Sequence, residues 1–275
     1  GIRGVERSRG LGDVYKRQVC MSSSYIAMLD ALGQVDRIVA VSGINYIANP
    51  YILAHKDSIK DMGPEMNYEL LLGLKPDVVL LYGIGDAQTA VTDKLKELYI
   101  PYMYVGEYLE ESPLGKAEWL VALAELTDSR EKGIEIFREI PKRYQVLKAL
   151  TESVEQRPTV MLNTPWNDSW VMPSTQSYMA QLVTDAGADY IYQENKSNSS
   201  TPIGLETAYK LIQKADYWIN VGTASTLDEL KTVNPKFVDA KAVREKTVYN
   251  NNLRTTPTGG NDSVSYTHLR AHETS

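Results

Sequence analysis

Two glutamates, Glu69 and Glu206, occupy matching places in a segment that occurs twice along the chain, 137 residues apart. The copies run over residues 67–83 and 205–222. Each copy predicts a short helix opened by the glutamate, a tight turn ending in aspartate, a buried strand and then glycine. Solenoid repeats recur every ~20–50 residues, so this wide spacing instead predicts two similar α/β lobes. Two matched carboxylates, one on each lobe, predict a partner that contacts both lobes beside a cleft.

Residues suited to catalysis are sparse in the body of the chain. The sequence contains no Gly-x-x-x-x-Gly-Lys-Ser/Thr phosphate loop and no Gly-x-Ser-x-Gly nucleophile elbow. The run Gly83-Ile84-Gly85 follows a predicted strand but lacks the third glycine of a dinucleotide fingerprint. His55 is the only histidine outside the tail, which contains His268 and His272. The body therefore does not have the histidines for a metal site or a plausible set of residues for a Ser-His-Asp triad. These residues predict a binding protein rather than an enzyme, with no side-chain metal site and no resident cofactor.

Charge and composition narrow the class of partner. The chain is 43% apolar and 23% charged, as is usual for a soluble globular protein. Its formal net charge is −6; residues 1–18 contribute +3 and the last twelve residues zero, so the body carries −9. An acidic body without a basic stripe argues against nucleic acid as the partner. The single cysteine, Cys20, excludes a disulfide within the chain.

The two terminal segments do not match the pattern of the body. Residues 1–18 lack apolar periodicity and the apolar run of a signal peptide, and residues 263–275 fit no element. Both resemble adaptor-derived peptides, so we expect them to be non-native and to contribute no core. On this interpretation any export signal of the natural protein is missing from the chain.

The body divides into three parts by its hydrophobic pattern. Strands alternate with helices over residues 19–111 and again over 156–262, which predicts parallel sheets covered on both faces. Residues 112–155 have helical periodicity and no strand pattern. Pro141 lies inside this stretch and predicts a kink or a break there. The predicted fold class is therefore α/β, with two α/β lobes that contain parallel sheets and are joined by a long interlobe helix.

The body resembles the class III periplasmic binding proteins, which serve ABC importers for iron complexes and vitamin B12. The resemblance covers nearly all of residues 19–263. It rests on the long mid-chain helix and on four runs: Met21–Ser24, Ala31–Val41, Asp61–Glu69 and Leu74–Leu80. It implies two α/β lobes that are joined by one rigid helix and close only slightly on their ligand. It also implies that Glu69 and Glu206 form salt bridges with arginines of a membrane permease. Bidentate pairing at these two points would fix the orientation of docking.

The resemblance further implies the function of the protein. We expect a monomeric, extracytoplasmic component of an ABC importer, periplasmic or anchored as a lipoprotein. It would capture an iron complex (a siderophore or haem) and deliver it to a permease dimer, and a cobamide is the alternative ligand. A nucleotide-sugar glycosyltransferase with two lobes is the alternative from another class, but it would need a phosphate-binding loop that is not seen. Relatives continue beyond Asp262 into an aromatic residue and a final helix, so the second lobe is expected to be incomplete.

Ligand-binding residues are expected in loops at the carboxyl ends of the strands, where open α/β sheets bind ligands. The candidates are Tyr46, Tyr82, Trp166, Trp170 and Arg254. The aromatic rings would stack on a flat or bulky ligand, and Arg254 would pair with an anionic group of it. An intact chelate brings its own coordination sphere, so no side-chain metal ligand is required.

Overall fold

Two parallel sheets organise the chain, in agreement with the predicted α/β class. The computed structural model describes residues 15–63, 65–83, 87–197, 199–222 and 224–250, without the side chains of residues 87 and 88. The first sheet has five parallel strands in the order β3-β2-β1-β4-β5. The second has four parallel strands in the order β11-β10-β6-β8, and β7 pairs with β9 as a separate antiparallel ribbon. The strands are β1 Gln18–Cys20, β2 Ile38–Val41, β3 Lys60–Asp61, β4 Val78–Leu81, β5 Tyr102–Tyr104, β6 Thr159–Leu162, β7 Ser169–Met172, β8 Asp189–Tyr190, β9 Thr201–Gly204, β10 Tyr217–Ile219 and β11 Val248–Tyr249.

Helices connect the strands and cover the sheets, and many begin at a residue whose side chain caps them. Ser22, Asn67 and Ser177 each accept a hydrogen bond from a backbone N–H of the first turn, which satisfies donors that a helix leaves unpaired. The helices are α1 Ser23–Ala31, α2 Pro50–Ala54, α3 Tyr68–Leu74, α4 Ala87–Glu97, α5 Pro113–Leu126, α6 Arg130–Ala149, α7 Tyr178–Asp185, α8 Leu205–Ile212, α9 Leu227–Val233 and α10 Lys241–Glu245.

The repeated segment occupies the same topological position in both sheets. In the first copy α3 leads into β4, which pairs with β1; in the second α8 leads into β10, which pairs with β6. The aspartate that ends each turn binds the beginning of the neighbouring strand. Asp77 Oδ2 accepts from the backbone N–H of Arg17 at 3.0 Å, and Asp216 Oδ2 accepts from that of Thr159 at 2.6 Å. The repeat is therefore a duplicated helix–strand unit that pairs with the first strand of its lobe.

Helices α5 and α6 form the helical stretch, and residues 114–155, all of which the structure describes, contain no strand. α5 places Leu120, Leu123 and Ala124 in the core of the first lobe, so it packs as part of that lobe. α6 is the crossing element and, at 20 residues, spans about 30 Å. Its Gly133 lies against Ala124, while its Tyr144 donates a hydrogen bond to Asp185 of α7 in the second lobe.

The expected kink or break at Pro141 is not where the helical stretch divides. α6 continues through Pro141, and the chain instead turns between α5 and α6, where Asp128 has a left-handed backbone (φ 54). Tertiary contacts on both sides of Pro141, near Gly133 and Tyr144, hold the helix together against the loss of one hydrogen bond.

The expectation that residues 1–18 contribute nothing to the core is wrong for Tyr15 and Gln18. Gln18 begins β1 and is buried, and Tyr15 packs against the core of the first lobe. The reason is that β1 is the central strand of its sheet, so its first residue pairs with both β2 and β4. Residues 1–14 and 251–275 lie outside the described residues.

Candidate functional site

Two exposed tyrosines stand at the carboxyl edge of the first sheet, the edge at which its parallel strands end. Tyr46 closes the short 3-10 turn Ile44–Tyr46 that follows β2, and Tyr82 comes directly after β4. These strands flank β1 on its two sides. Tyr46 is 66% exposed and Tyr82 37% exposed. Both sequence-predicted tyrosines therefore offer aromatic surface at the edge where an open α/β sheet binds ligands.

Hydrogen bonds fix the backbone that carries these tyrosines. The Asp61 carboxylate accepts from the backbone N–H groups of Gly43 and Ile44, at 2.9 and 3.2 Å, which holds the turn before Tyr46. Gly43 adopts a left-handed backbone (φ 68) that glycine tolerates without strain. In the sheet, the hydroxyl of buried Tyr25 lies 3.2 Å from the Leu81 carbonyl and 3.1 Å from that of Val105. It thereby ties the end of β4 to the end of β5.

Three asparagines line the carboxyl edge of the second sheet. Asn163, Asn220 and Asn250 directly follow the neighbouring strands β6, β10 and β11, and we call them the asparagine row. Asn220 Nδ2 donates to Asn163 Oδ1 at 2.8 Å. Asn250 Nδ2 donates to the carbonyls of Gly222 and Ala224 at 2.7 and 3.0 Å. These residues are not among those predicted from the sequence, although an asparagine directly after each of these strands is visible there.

The two tryptophans predicted for the cleft have opposite environments. Trp166, in the loop after β6, is 75% exposed and keeps its ring available to a ligand. Trp170 is fully buried in β7, so its predicted contact with a ligand is wrong. Its Nε1 donates to the Leu162 carbonyl at 2.8 Å, and its ring packs on Trp218 and Phe237. Alternation along β7 turns this side chain toward the core of the second lobe.

A buried lysine forms an ion pair within the first lobe and also contacts the second lobe. Glu107, which follows β5, lies 3.5 Å from Lys116 of α5, and both side chains are at least nine-tenths buried. Lys116 Nζ also lies 4.7 Å from the centre of the Tyr178 ring. Tyr178 is the first residue of α7, which runs back from the carboxyl edge of the second sheet before β8 begins. Burial lowers the pKa of Lys116, and the carboxylate of Glu107 opposes that shift.

The repeated glutamates occupy equivalent and exposed positions. Glu69 is the second residue of α3 and Glu206 the second residue of α8. Each helix precedes a strand that starts at the opposite edge, so each first turn lies on the carboxyl-edge side of its lobe. Both side chains are exposed. They differ in one respect: Glu206 binds Lys210 at 2.6 Å, which lowers the pKa of Glu206, whereas the corresponding position after Glu69 is Gly73.

Arg254, the remaining predicted ligand-binding residue, lies outside the described residues. Within the described ranges, no group of three or more His, Cys, Asp or Glu side chains is arranged to hold a metal ion. A search of the same residues for a helix with the length and apolar character needed to cross a bilayer found none.

Comparison with known proteins agrees with this geometry. A family model described as periplasmic binding protein matches residues 19–252. An uncharacterized lipoprotein of Methanocaldococcus jannaschii is 27% identical over 260 residues, which cover 87% of this chain and 62% of the relative. A second uncharacterized lipoprotein of the same organism is 28% identical over 193 residues, covering 67% of this chain and 48% of that protein. The chain thus spans less than two thirds of the length of these relatives.

Solved structures share the fold. A periplasmic binding protein from Veillonella parvula aligns with a TM-score of 0.71 at 18% identity, covering 96% of this chain and 92% of that one. A periplasmic haem-binding protein of Vibrio cholerae aligns at 0.69 and 17% identity, covering 94% and 97%. The vitamin B12-binding protein of Vibrio cholerae aligns at 0.65 and 17% identity, covering 95% and 99%. The chain therefore belongs to the periplasmic binding protein family, whose members bind solutes and are not enzymes, and it has the two-lobed fold of the class III members.

Proposed function

We propose that this chain is the extracytoplasmic solute-binding component of an ABC importer. It captures an intact metal chelate in the cleft and delivers it to a membrane permease dimer. An iron complex, either a siderophore or haem, is the favoured ligand, and a cobamide is the alternative. The lipoprotein names of the two relatives support a location outside the cytoplasm.

The observation that carries the proposal is the equivalence of Glu69 and Glu206. Each is the second residue of a duplicated helix, exposed, and on the carboxyl-edge side of its own lobe. A permease with two related halves offers two arginine sites, and one carboxylate per lobe can bind each of them. Charge-assisted pairs at two separated points fix the orientation of docking as well as adding affinity.

The cleft supports a bulky ligand that contacts both lobes. Tyr46, Tyr82 and Trp166 present exposed rings from loops that follow strands of the two sheets. Aromatic faces bury a large area of a flat or bulky chelate at a small cost in side-chain entropy. A chelate of this kind needs no side-chain metal ligand, because its own donors already surround the metal.

Titration calorimetry tests the ligand class directly. The purified chain is titrated with a ferric hydroxamate siderophore, haemin and cyanocobalamin, and with free Zn²⁺, free Mn²⁺ and a uridine diphosphate sugar as controls. The proposal expects saturable binding of at least one chelate and none of the controls. Tight binding of a free metal ion without any response to a chelate would overturn it.

A charge-reversal experiment tests docking. Glu69→Arg combined with Glu206→Arg should abolish binding to proteoliposomes that contain the importer's permease, because two repulsive contacts replace two attractive ones. The chelate affinity should stay within about twofold, since hydrogen bonds in the cleft are untouched. The matched control is Glu97→Arg combined with Glu245→Arg. These exposed glutamates end α4 and α10, one per lobe, at the opposite edges of the two sheets. A loss of docking in the control, or none in the test variant, would refute the assignment.

A further inference from the structure

The asparagine row presents its amides in a fixed orientation. The Val171 carbonyl can only accept a hydrogen bond, so the group of Asn163 that lies 3.1 Å from it must be the Nδ2 donor. Asn163 Oδ1 therefore points toward Asn220 and accepts from its Nδ2 at 2.8 Å. This chain of bonds determines which way both amides face, because each amide has one end that donates and one that accepts.

This orientation leaves the side-chain carbonyl oxygen of Asn220 available to a ligand. One of its two Nδ2 hydrogens is donated to Asn163, while its Oδ1 has no hydrogen-bond partner among the described residues. Asn220 is half-buried, directly follows β10, and lies between Asn163 and Asn250 along the edge of the sheet. Asn250 likewise donates hydrogen bonds from its Nδ2 to backbone carbonyls. The bond to Asn163 thus fixes the orientation of the Asn220 amide and leaves its carbonyl oxygen as an acceptor for a ligand at the centre of the row.

A left-handed backbone supports this arrangement at two of the three positions. Asn163 has φ 68 and Asn220 has φ 63, a conformation that asparagine tolerates better than most residues but glycine tolerates best. An asparagine at such a position has a side chain, which glycine would lack. Asn163 and Asn220 use theirs to hold each other.

We infer that the second lobe recognises a hydrogen-bond donor on the ligand, such as a carboxamide N–H or a hydroxyl, and disfavours a bare carboxylate at that point. This inference rests on the proposed function and narrows its ligand to chelates with a donor-bearing rim. A carboxylate facing Asn220 Oδ1 would leave two acceptors opposed and unpaired, which is costly in a desolvated cleft. The sequence-based expectation for Arg254 is the opposite, because a guanidinium favours an anionic group.

Matched pairs of chelates separate the two expectations. We would titrate the chain with haemin and its bis-amide, and with cobyrinic acid and its heptaamide. Members of a pair differ only in whether the rim carries carboxylates or carboxamides. The inference expects the amide member of at least one pair to bind roughly tenfold more tightly, the scale of one hydrogen bond gained instead of lost.

Variants then tie the preference to the asparagine row. Asn220→Gly removes the acceptor without backbone strain and should reduce the amide preference to within about twofold. Asn163→Gly leaves the Asn220 amide free to turn its Nδ2 outward, so it should shift the preference toward the carboxylate member. The matched control is Lys246→Gly, at another left-handed position (φ 59) before β11, at the opposite edge of the same sheet. It should keep the wild-type ratio.

The outcomes distinguish this inference from the proposed function. If no chelate binds, both the proposed function and this inference are wrong. If chelates bind but the carboxylate member is preferred, the inference is wrong, the importer function stands, and a cation such as Arg254 gains support. An amide preference that survives Asn220→Gly unchanged would also overturn the inference, because the acceptor would then lie elsewhere.

Discussion

The ammonium nitrogen of Lys116 lies between the Glu107 carboxylate of the first lobe and the Tyr178 ring of the second, so one buried cation contacts both lobes. A carboxylate and an aromatic face each attract a cation, and water competes weakly here because both Glu107 and Lys116 are buried. This contact is therefore placed to help set the orientation of the two lobes relative to one another.

The first prediction concerns removal of that cation. Lys116→Met should lower the free energy of unfolding by about 3–5 kcal/mol, because it leaves the Glu107 carboxylate buried without its partner. Urea denaturation followed by tryptophan fluorescence measures the change. The double variant Lys116→Met, Glu107→Gln should recover part of the loss, since no buried charge then remains. An unchanged unfolding midpoint in Lys116→Met would show that the pair contributes nothing.

The ring of Tyr178 supplies a matched comparison. Tyr178→Phe keeps the aromatic face and should change stability little through this contact, whereas Tyr178→Leu removes it and should cost about 0.5–2 kcal/mol more. Equal effects of the two substitutions would contradict a cation–π contribution.

The second prediction concerns the close packing of α6 on α5. A Cβ at Gly133 would lie 2.5 Å from Ala124 Cβ, a short side chain that cannot move aside. Gly133→Ala should therefore destabilise the protein by about 1–3 kcal/mol, despite the better helix propensity of alanine. Gly73→Ala is the matched control in α3, because a Cβ there meets nothing within 4 Å. It should stabilise by up to about 1 kcal/mol. Thermal unfolding of both variants would decide, and a stabilised Gly133→Ala would refute the packing argument.

The third prediction concerns acid stability. Hydrogen bonds from Lys241 and from Thr159 lower the pKa of Asp216 to about 2. The unfolded value is about 3.9, so its contribution is complete above that pH and is lost as the pH falls from about 4 through about 2. Asp216→Asn should cost about 1 kcal/mol near neutral pH, a figure reduced for the partial exposure of the pair with Lys241.

The measurement for Asp216 is the urea midpoint at neutral and at acidic pH. The difference between Asp216→Asn and the wild type should shrink as the pH is lowered through this window. Asp228→Asn serves as the control, because Asp228 forms only an exposed pair with Lys231 in the same lobe. A pH-independent difference for Asp216→Asn would contradict the assignment.

The fourth prediction concerns the difference between Glu69 and Glu206, the two glutamates proposed to dock on the permease. Lys210 holds Glu206 in an exposed pair, whereas Glu69 is followed by Gly73 at the same spacing. Lys210→Ala should free the Glu206 carboxylate and strengthen binding to the permease by about twofold, the scale of an exposed pair between neighbouring helical turns. Lys214→Ala, another exposed lysine near the end of α8, is the control. Weaker docking of Lys210→Ala than of the control would mean that Lys210 itself contacts the permease.

The two-lobed organisation and the paired glutamates were predictable because both follow from local patterns. Strand and helix periodicities depend on neighbouring residues, and the duplicated helix–strand unit is visible as sequence similarity between Asn67–Gly83 and Leu205–Gly222. The ribbon of β7 and β9 could not be predicted from local periodicity. Its strands are separated by a helix and a strand, and only their pairing in space identifies them.

Whether an individual side chain is exposed or buried could not be predicted from the sequence. Trp166 and Trp170 lie four residues apart, yet one is exposed and the other is core. Trp166 lies in the loop before β7, whereas Trp170 lies within β7, whose pairing with β9 fixes which face of the ribbon is buried. Gln18 poses a similar problem at the start of the chain. It is polar, and only its pairing with Ile38 of β2 and Val78 of β4 identifies it as the first residue of β1.

The sequence by itself determined the fold class, the two lobes and the glutamates Glu69 and Glu206, since each is recorded in residues close together or in a repeat. Only the tertiary structure decided that Asn163, Asn220 and Asn250 form one row and that Lys116 contacts both lobes. The contact between Asn163 and Asn220 joins residues that are 57 positions apart in the sequence. The row as a whole depends on the lateral strand order β11-β10-β6. The order of strands in a sheet is set by the packing of all the connecting helices together, which no local pattern specifies.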